Sequence, residues 1–348
     1  MVQKPTTMKK VTIFRSAILA LLVCVGIAAC DKNSDVVPTE PETYTVKLGW
    51  AGEILDVSYE PMTRAATDDL YGIQVYSKPN NNSTATSWEP YAYGLFDDPT
   101  NISIDLASGN KYKFVATMAK DGKNRIRRYD EDFYSHPFLA VLDNKFYYGT
   151  TEKMKNLNRG ATWLNDGSPY ERERPNIERF YGELSDYIPS EGNTNAKIDM
   201  KRTSFGAKFI AEGKLAVDGK LEIQIDEDPK MELALTEGDD QISDIFTFAN
   251  VYEAWRESES EEYALYGYFE TIDVSFKWIR PDGTELQIGT FPITFKRNTT
   301  TVVTIKMEND VIEGDQTGGV SFNIASSETG EMPVDENNSV TIIDGEMQ

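Results

Sequence analysis

A chain of 348 residues with 57 acidic and 35 basic side chains carries a formal charge of −22, a field that opposes nucleic acid and anionic lipid surfaces and favours solubility. Its one histidine, His136, excludes metal sites and mechanisms built on several histidines, and both cysteines, Cys24 and Cys30, fall in the first segment, leaving none for a disulfide framework in the body. The length exceeds one ordinary domain and predicts two.

Lys9, Lys10 and Arg15 precede an apolar run from Ile18 to Ile27, which ends in Ala28-Ala29-Cys30 and turns polar at once with Asp31-Lys32-Asn33. A positive start, a short apolar stretch and small residues directly before a cysteine form the pattern of a bacterial lipoprotein signal over residues 1–29. Lipid on Cys30, the expected mature N-terminus, would hold the rest of the chain at the cell outer membrane, outside the cytoplasm. The plainer alternatives are an anchor helix or an ordinary secretory signal beside an incidental cysteine. Met8-Lys9-Lys10 offers a second candidate start. Residues 30–43, rich in Asp, Asn, Ser, Pro and Glu, read as a flexible tether.

Tyr44-Thr45-Val46-Lys47-Leu48-Gly49-Trp50 alternates apolar and polar, as does Ile54 to Val57, and both read as half-buried strands. A polar break, Pro61-Met62-Thr63-Arg64-Ala65, follows. Strand signals then come at short intervals over Leu70–Tyr76, Tyr91–Phe96, Ile102–Leu106 and Lys111–Ala119, separated by turn chemistry at Asp97-Asp98-Pro99 and Ser108-Gly109-Asn110. Short strands at this spacing predict an antiparallel sandwich rather than βαβ units. From Lys123 to Asn195 the pattern fades into aromatic clusters, Phe133-Tyr134 and Phe146-Tyr147-Tyr148, and a predicted helix over Asn176–Tyr187 with Ile177, Phe180, Tyr181 and Leu184 on one face. A loop of that length must pack in part.

Strands return over Ala196–Arg202, Ala207–Ala211, Lys214–Val217 and Leu221–Asp226, with Asp218-Gly219 as a hairpin turn. Val251–Tyr263 reads as a short helix with Trp255 on its apolar side. Ile272, Val274, Phe276 and Trp278 alternate with polar residues in a strand buried on one face, Leu286–Phe295 returns, and Thr301–Met307 adds another. The predicted fold is all-β: two tandem antiparallel β-sandwich domains with a few short helices. The first spans 44–216, including a leader segment over 44–64, and the second spans 217–310. Residues 311–348 form a polar extension whose apolar patch Val340–Ile343 is a candidate strand.

Several side-chain groups invite chemistry. Trp88, Tyr91, Tyr93, Trp163, Tyr170 and Tyr181 are a candidate sugar-stacking platform, although core packing explains them more simply. Glu257, Glu259, Glu261 and Glu262 sit too close in sequence for a glycosidase pair on separate elements. Asp97-Asp98 and Asp226-Glu227-Asp228 do not match an EF-hand loop. Ser135-His136 lacks a Gly-x-Ser-x-Gly elbow, and Arg297-Asn298 reads as a turn before an edge strand rather than a ligand pair. No catalytic constellation and no cofactor site emerges, and the expectation is a non-enzyme that binds no nucleic acid.

Taken together, the lipobox, the strand-like leader, the Pro61–Ala65 junction, the Asp69-Leu70-Tyr71-Gly72-Ile73-Gln74-Val75-Tyr76 strand and Phe295-Lys296-Arg297-Asn298-Thr299-Thr300-Thr301 resemble the fimbrillin family of lipoprotein-derived pilins, over about Cys30–Met307. The resemblance implies two transthyretin-like sandwiches in a fibre subunit or a tip or accessory adhesin. It also implies proteolytic processing between Arg64 and Ala65, loss of the leader strand, and strand exchange with other pilin subunits. A host glycan or protein receptor is a further implied partner. Without that context Arg64 is an ordinary solvated arginine. The alternative function is a glycan-binding outer-membrane lipoprotein of a polysaccharide-uptake system, using the aromatic cluster.

Overall fold

The computed structural model describes residues 41–54, 68–81, 87–149, 157, 159–212, 219–228, 230–235, 240–257, 267–310, 319–331 and 340–341. Cys30, Arg64 and Ala65 lie outside them, as do the Lys214–Val217 strand and Glu259, Glu261 and Glu262. In chain order the strands are β1 (Thr43–Gly52), β2 (Leu70–Pro79), β3 (Glu89–Phe96), β4 (Ser103–Ala107) and β5 (Asn110–Ala119), then the one-turn helix α1 (Gly122–Arg125). There follow β6 (Phe133–Tyr134), β7 (Ala140–Val141), β8 (Lys145–Tyr148), β9 (Arg179–Tyr187), β10 (Asn195–Arg202), β11 (Ser204–Glu212), β12 (Gly219–Ile225), β13 (Lys230–Leu235) and β14 (Asp240–Thr247). The helix α2 (Val251–Glu257) precedes β15 (Phe269–Ile279), β16 (Glu285–Lys296), β17 (Thr299–Asp310), β18 (Gly319–Glu331) and β19 (Val340–Thr341). Every strand expected between Leu70 and Ala119 is present, because alternation and turn residues agree there. Asp98 Oδ1, for instance, accepts the Thr100 amide at 2.9 Å and closes the β3–β4 turn.

The first eight-stranded sheet runs β4-β1-β10-β9-β5-β2-β3-β8. One core holds Val46 and Leu48 of β1, Ile104 of β4 and Ile198 of β10 together with Ile73 of β2 and Phe114 of β5. The sheet therefore folds over where β10 meets β9, a pairing of only two residues, Lys201↔Tyr181 and Arg202↔Phe180. Tyr91 and Tyr148 reach across its open side, with the Tyr91 hydroxyl donating to Asp105 O and the Asp105 amide donating to Tyr148 Oη.

The predicted helix over Asn176–Tyr187 is instead strand β9. Phe180 faces the sandwich core, whereas Tyr181 faces the opposite side, packed with Val115 and Val251 beneath α2. A strand covered on both faces loses its period of two, so consecutive apolar residues imitate a helical stripe. The segment before it packs as expected: Ile126, Tyr134, Phe138, Leu157 and Ile177 form a third core against Leu70, Tyr93 and Leu95. The buried Arg179 side chain ties that segment down, donating to the carbonyls of Leu157, Arg159 and Gly160.

A five-stranded sheet, β14-β11-β17-β18-β19, and a four-stranded one, β13-β12-β15-β16, enclose the second sandwich core, which includes Phe205, Phe209, Leu221, Phe276, Trp278, Phe295 and Val303. This core begins at Phe205 of β11, upstream of the boundary expected at 217, because β11 pairs with β14 and β17 rather than with the first sheet. Among the described residues pairing is antiparallel except for β1 with β10 and β11 with β17, which are parallel. Burial period does not encode strand direction.

Candidate assembly site

β1 alternates in burial, with Val46 and Leu48 directed inward and Tyr44, Trp50 half-buried against the same core. Trp50 packs on Tyr71 with ring centroids 5.4 Å apart, and its indole N–H donates to Pro99 O. Along its first half β1 pairs with β4, Thr43–Lys47 against Ala107–Ser103, and from Lys47 to Gly52 it pairs with β10, Asn195–Met200. The strand is thus interior to the sheet. Each buried aliphatic side chain contributes roughly 1.5–3 kcal/mol, so loss of β1 would uncover an apolar trough and unpaired backbone groups on β4 and β10.

At its end the strand turns sharply. Gly52 has φ +77°, and a Cβ there would lie 1.9 Å from Asp199 Oδ1 and 2.8 Å from Met200 O, so only glycine fits. The turn delivers Glu53 to the junction between the two sandwiches. Glu53 Oε2 accepts the Arg202 amide at 2.7 Å and Arg297 Nη1 at 2.6 Å, and Glu53 Oε1 accepts Arg297 Nη2 at 3.0 Å. Arg297 also donates to Arg202 O at 2.9 Å. Arg202 in turn pairs with Glu178 at 2.7 Å, both side chains more than nine-tenths buried, and donates to Asn298 Oδ1.

Arg297 and Asn298 were expected to be a plain turn before an edge strand. Asn298 does take the left-handed turn conformation, φ +56°, but β17 lies between β11 and β18, not at an edge, and Arg297 is a structural tether to Glu53 at the end of β1. Sequence reasoning missed Glu53 because its partner is 244 residues away.

The other candidate groups do not assemble. Tyr93 is buried in the third core and Tyr181 beneath α2, Tyr91 stacks edge-on to Tyr112 and Tyr148, Trp88 lies under Lys78, Trp163 packs beside His136, and Tyr170 stands exposed. The six aromatics share no common face. Ser135 Oγ is buried without a hydrogen bond, and His136 Nδ1 faces Glu171 Oε1 at 3.4 Å, so the two residues form no relay. Asp97 is taken by Lys123, Asp98 by the Thr100–Asn101 turn, and Asp226 and Asp228 by Arg174. Among the described residues no cluster of three or more His, Cys, Asp or Glu side chains could hold a metal ion. A polar cleft of about 540 Å3 lies beside Arg125, Arg172, Asn176, Gln224, Asp228 and Lys230. Most of these groups are already bonded to protein partners, such as Arg125 to Asn176 O and Lys230 to Glu222.

No protein-family model matches the sequence, and no curated protein matches it. Solved structures do. The chain is similar to the fimbrial anchor protein Mfa2 from Porphyromonas gingivalis, at 8% identity over 83% of this chain and 98% of that one, with a TM-score of 0.37. It is similar to an adhesin candidate from Bacteroides ovatus, at 10% identity over 91% of this chain and 99% of that one, with a TM-score of 0.41. It is also similar to the tip fimbrial protein Mfa3 from Porphyromonas gingivalis, at 11% identity over 81% and 97%, with a TM-score of 0.25.

Proposed function

We propose that the chain is a surface-anchored fimbrial subunit, or a tip or accessory adhesin, of fimbrillin type. It is tethered to the outer membrane through lipid on Cys30 and assembles with other subunits by β-strand addition. The observation that carries the reading is the place of β1, an N-terminal strand seated between β4 and β10 and separated from β2 by the polar break that holds Arg64. A cut after Arg64 leaves β1 held by noncovalent contacts alone. Its departure creates a two-sided groove whose unpaired amides and carbonyls are costly to leave unmet, and a strand from another chain satisfies both walls.

Limited digestion of the full chain by an arginine-specific protease, followed by mass spectrometry and size-exclusion chromatography, tests this. The expected product begins at Ala65 and elutes as larger species. Resistance of Arg64 while other arginines are cut, or a cut protein that remains an unchanged monomer, overturns the reading.

A further inference from the structure

Arg297 is a conspicuous cation within the junction. Its side chain is 11% exposed, and among the described residues Glu53 supplies the one carboxylate bonded to it. The contact is bidentate, and the Arg202 amide adds a third donor to the same carboxylate. Two parallel guanidinium bonds and a backbone N–H make a fixed receptor for a planar carboxylate, selective in both charge and orientation. The approach to it is equally selective, because the residue preceding the carboxylate occupies the Gly52 site, where a Cβ would strike Asp199 and the Met200 carbonyl.

We propose that Arg297 and the Arg202 amide form a carboxylate-reading anchor at the end of the β1 groove. The strand seated in that groove, whether the chain's own β1 or a donor strand from another pilin subunit, is selected for a glycine followed by an acidic residue. The donor half of this statement rests on the strand-exchange reading above. The physical cause is the junction's desolvation. Removing one partner of a largely buried pair strands the other charge, a strongly destabilising change, so an apolar or amide residue at the Glu53 position leaves Arg297 uncompensated between the two sandwiches. The anchor also fixes register. A one-residue slip would turn every inward side chain of the strand outward and carry the carboxylate away from Arg297.

Two experiments on the full chain test this. The first is a double-mutant cycle in the uncut protein with Glu53→Gln, Arg297→Gln and the double variant, read as unfolding equilibrium constants in denaturant. Non-additivity of at least about tenfold is expected, and additive effects overturn the anchor. The second uses protein cut after Arg64 and two labelled peptides spanning residues 43–54, one native and one with Glu53→Gln. The native peptide should bind at least about tenfold more tightly, and the preference should vanish in the Arg297→Gln protein. Equal affinity overturns the selectivity while leaving strand replacement standing. Coupling in the cycle with neither peptide retained supports the anchor in the intact chain and instead overturns the strand-exchange reading.

Discussion

Replacing Gly52 by alanine should cost far more than the same change at Gly109, although both glycines have almost the same backbone conformation, φ +77° and φ +79°. The left-handed region disfavours any L side chain by about 1–2 kcal/mol. At Gly109, where nothing lies within 4 Å of the added Cβ, that is the whole expected effect. At Gly52 the same carbon would lie 2.8 Å from Met200 O, a backbone atom that cannot swing aside. Met200 is the residue of β10 paired with Gly52 itself, so relief requires the end of β1 to part from β10. Overpacking of this kind adds roughly 1–3 kcal/mol, for a total near 3 kcal/mol. Urea unfolding of the full chain measures both variants against the wild type, and hydrogen exchange at Trp50–Gly52 and Ile198–Met200 reports whether the strand end has opened. Equal destabilisation at the two positions, or unchanged exchange at the β1–β10 end, would refute the argument that the close approach at Gly52, rather than its φ alone, seats the end of β1.

Arg179→Met should destabilise the protein by roughly 3 kcal/mol or more, because the carbonyls of Leu157 and Arg159 lose this donor and Gly160 O is left with Thr162 Oγ1. Faster amide exchange confined to the third core would check it, and unaltered exchange would count against the tie. Asp228, 4% exposed, has its carboxyl pushed up to about 6 by burial. A folded pKa above the unfolded one stabilises fully below about pH 3.8 and is lost as pH rises through 6. Asp228→Asn should therefore gain on the wild type between pH 4 and pH 7, by at most about 3 kcal/mol and by roughly half that once solvent in the adjoining cleft is counted. A stability difference that is flat with pH contradicts it. On the proposed lipoprotein reading, Cys30→Ser should abolish membrane attachment, because small residues directly before the cysteine match a lipoprotein signal, and palmitate labelling that survives the change would exclude Cys30 as the lipidated residue.

The strands were legible wherever one face meets a core and the other meets water. Ile272, Val274, Phe276 and Trp278 are buried at alternate positions of β15 as their sequence alternation requires, and the turn residues between β2 and β5 stand where the chain reverses. The all-β class follows from those local signals alone, because side-chain period and turn chemistry act over a few residues. What escaped was set by partners distant in sequence. β9 read as a helix because α2 and the segment around Leu157 cover the face that would otherwise be polar. The parallel pairing of β1 and of β11 is invisible to a burial pattern that is the same in either direction. The start of the second core at Phe205 depends on β17, which lies far downstream. The junction shows the limit most plainly: Gly52, Glu53 and Arg202 carry no signal of it in sequence, and Arg297 reads there as a turn residue. Only the closing of two sandwiches against each other brings a guanidinium, an amide and a carboxylate to bonding distance and removes the water that would have weakened their bond.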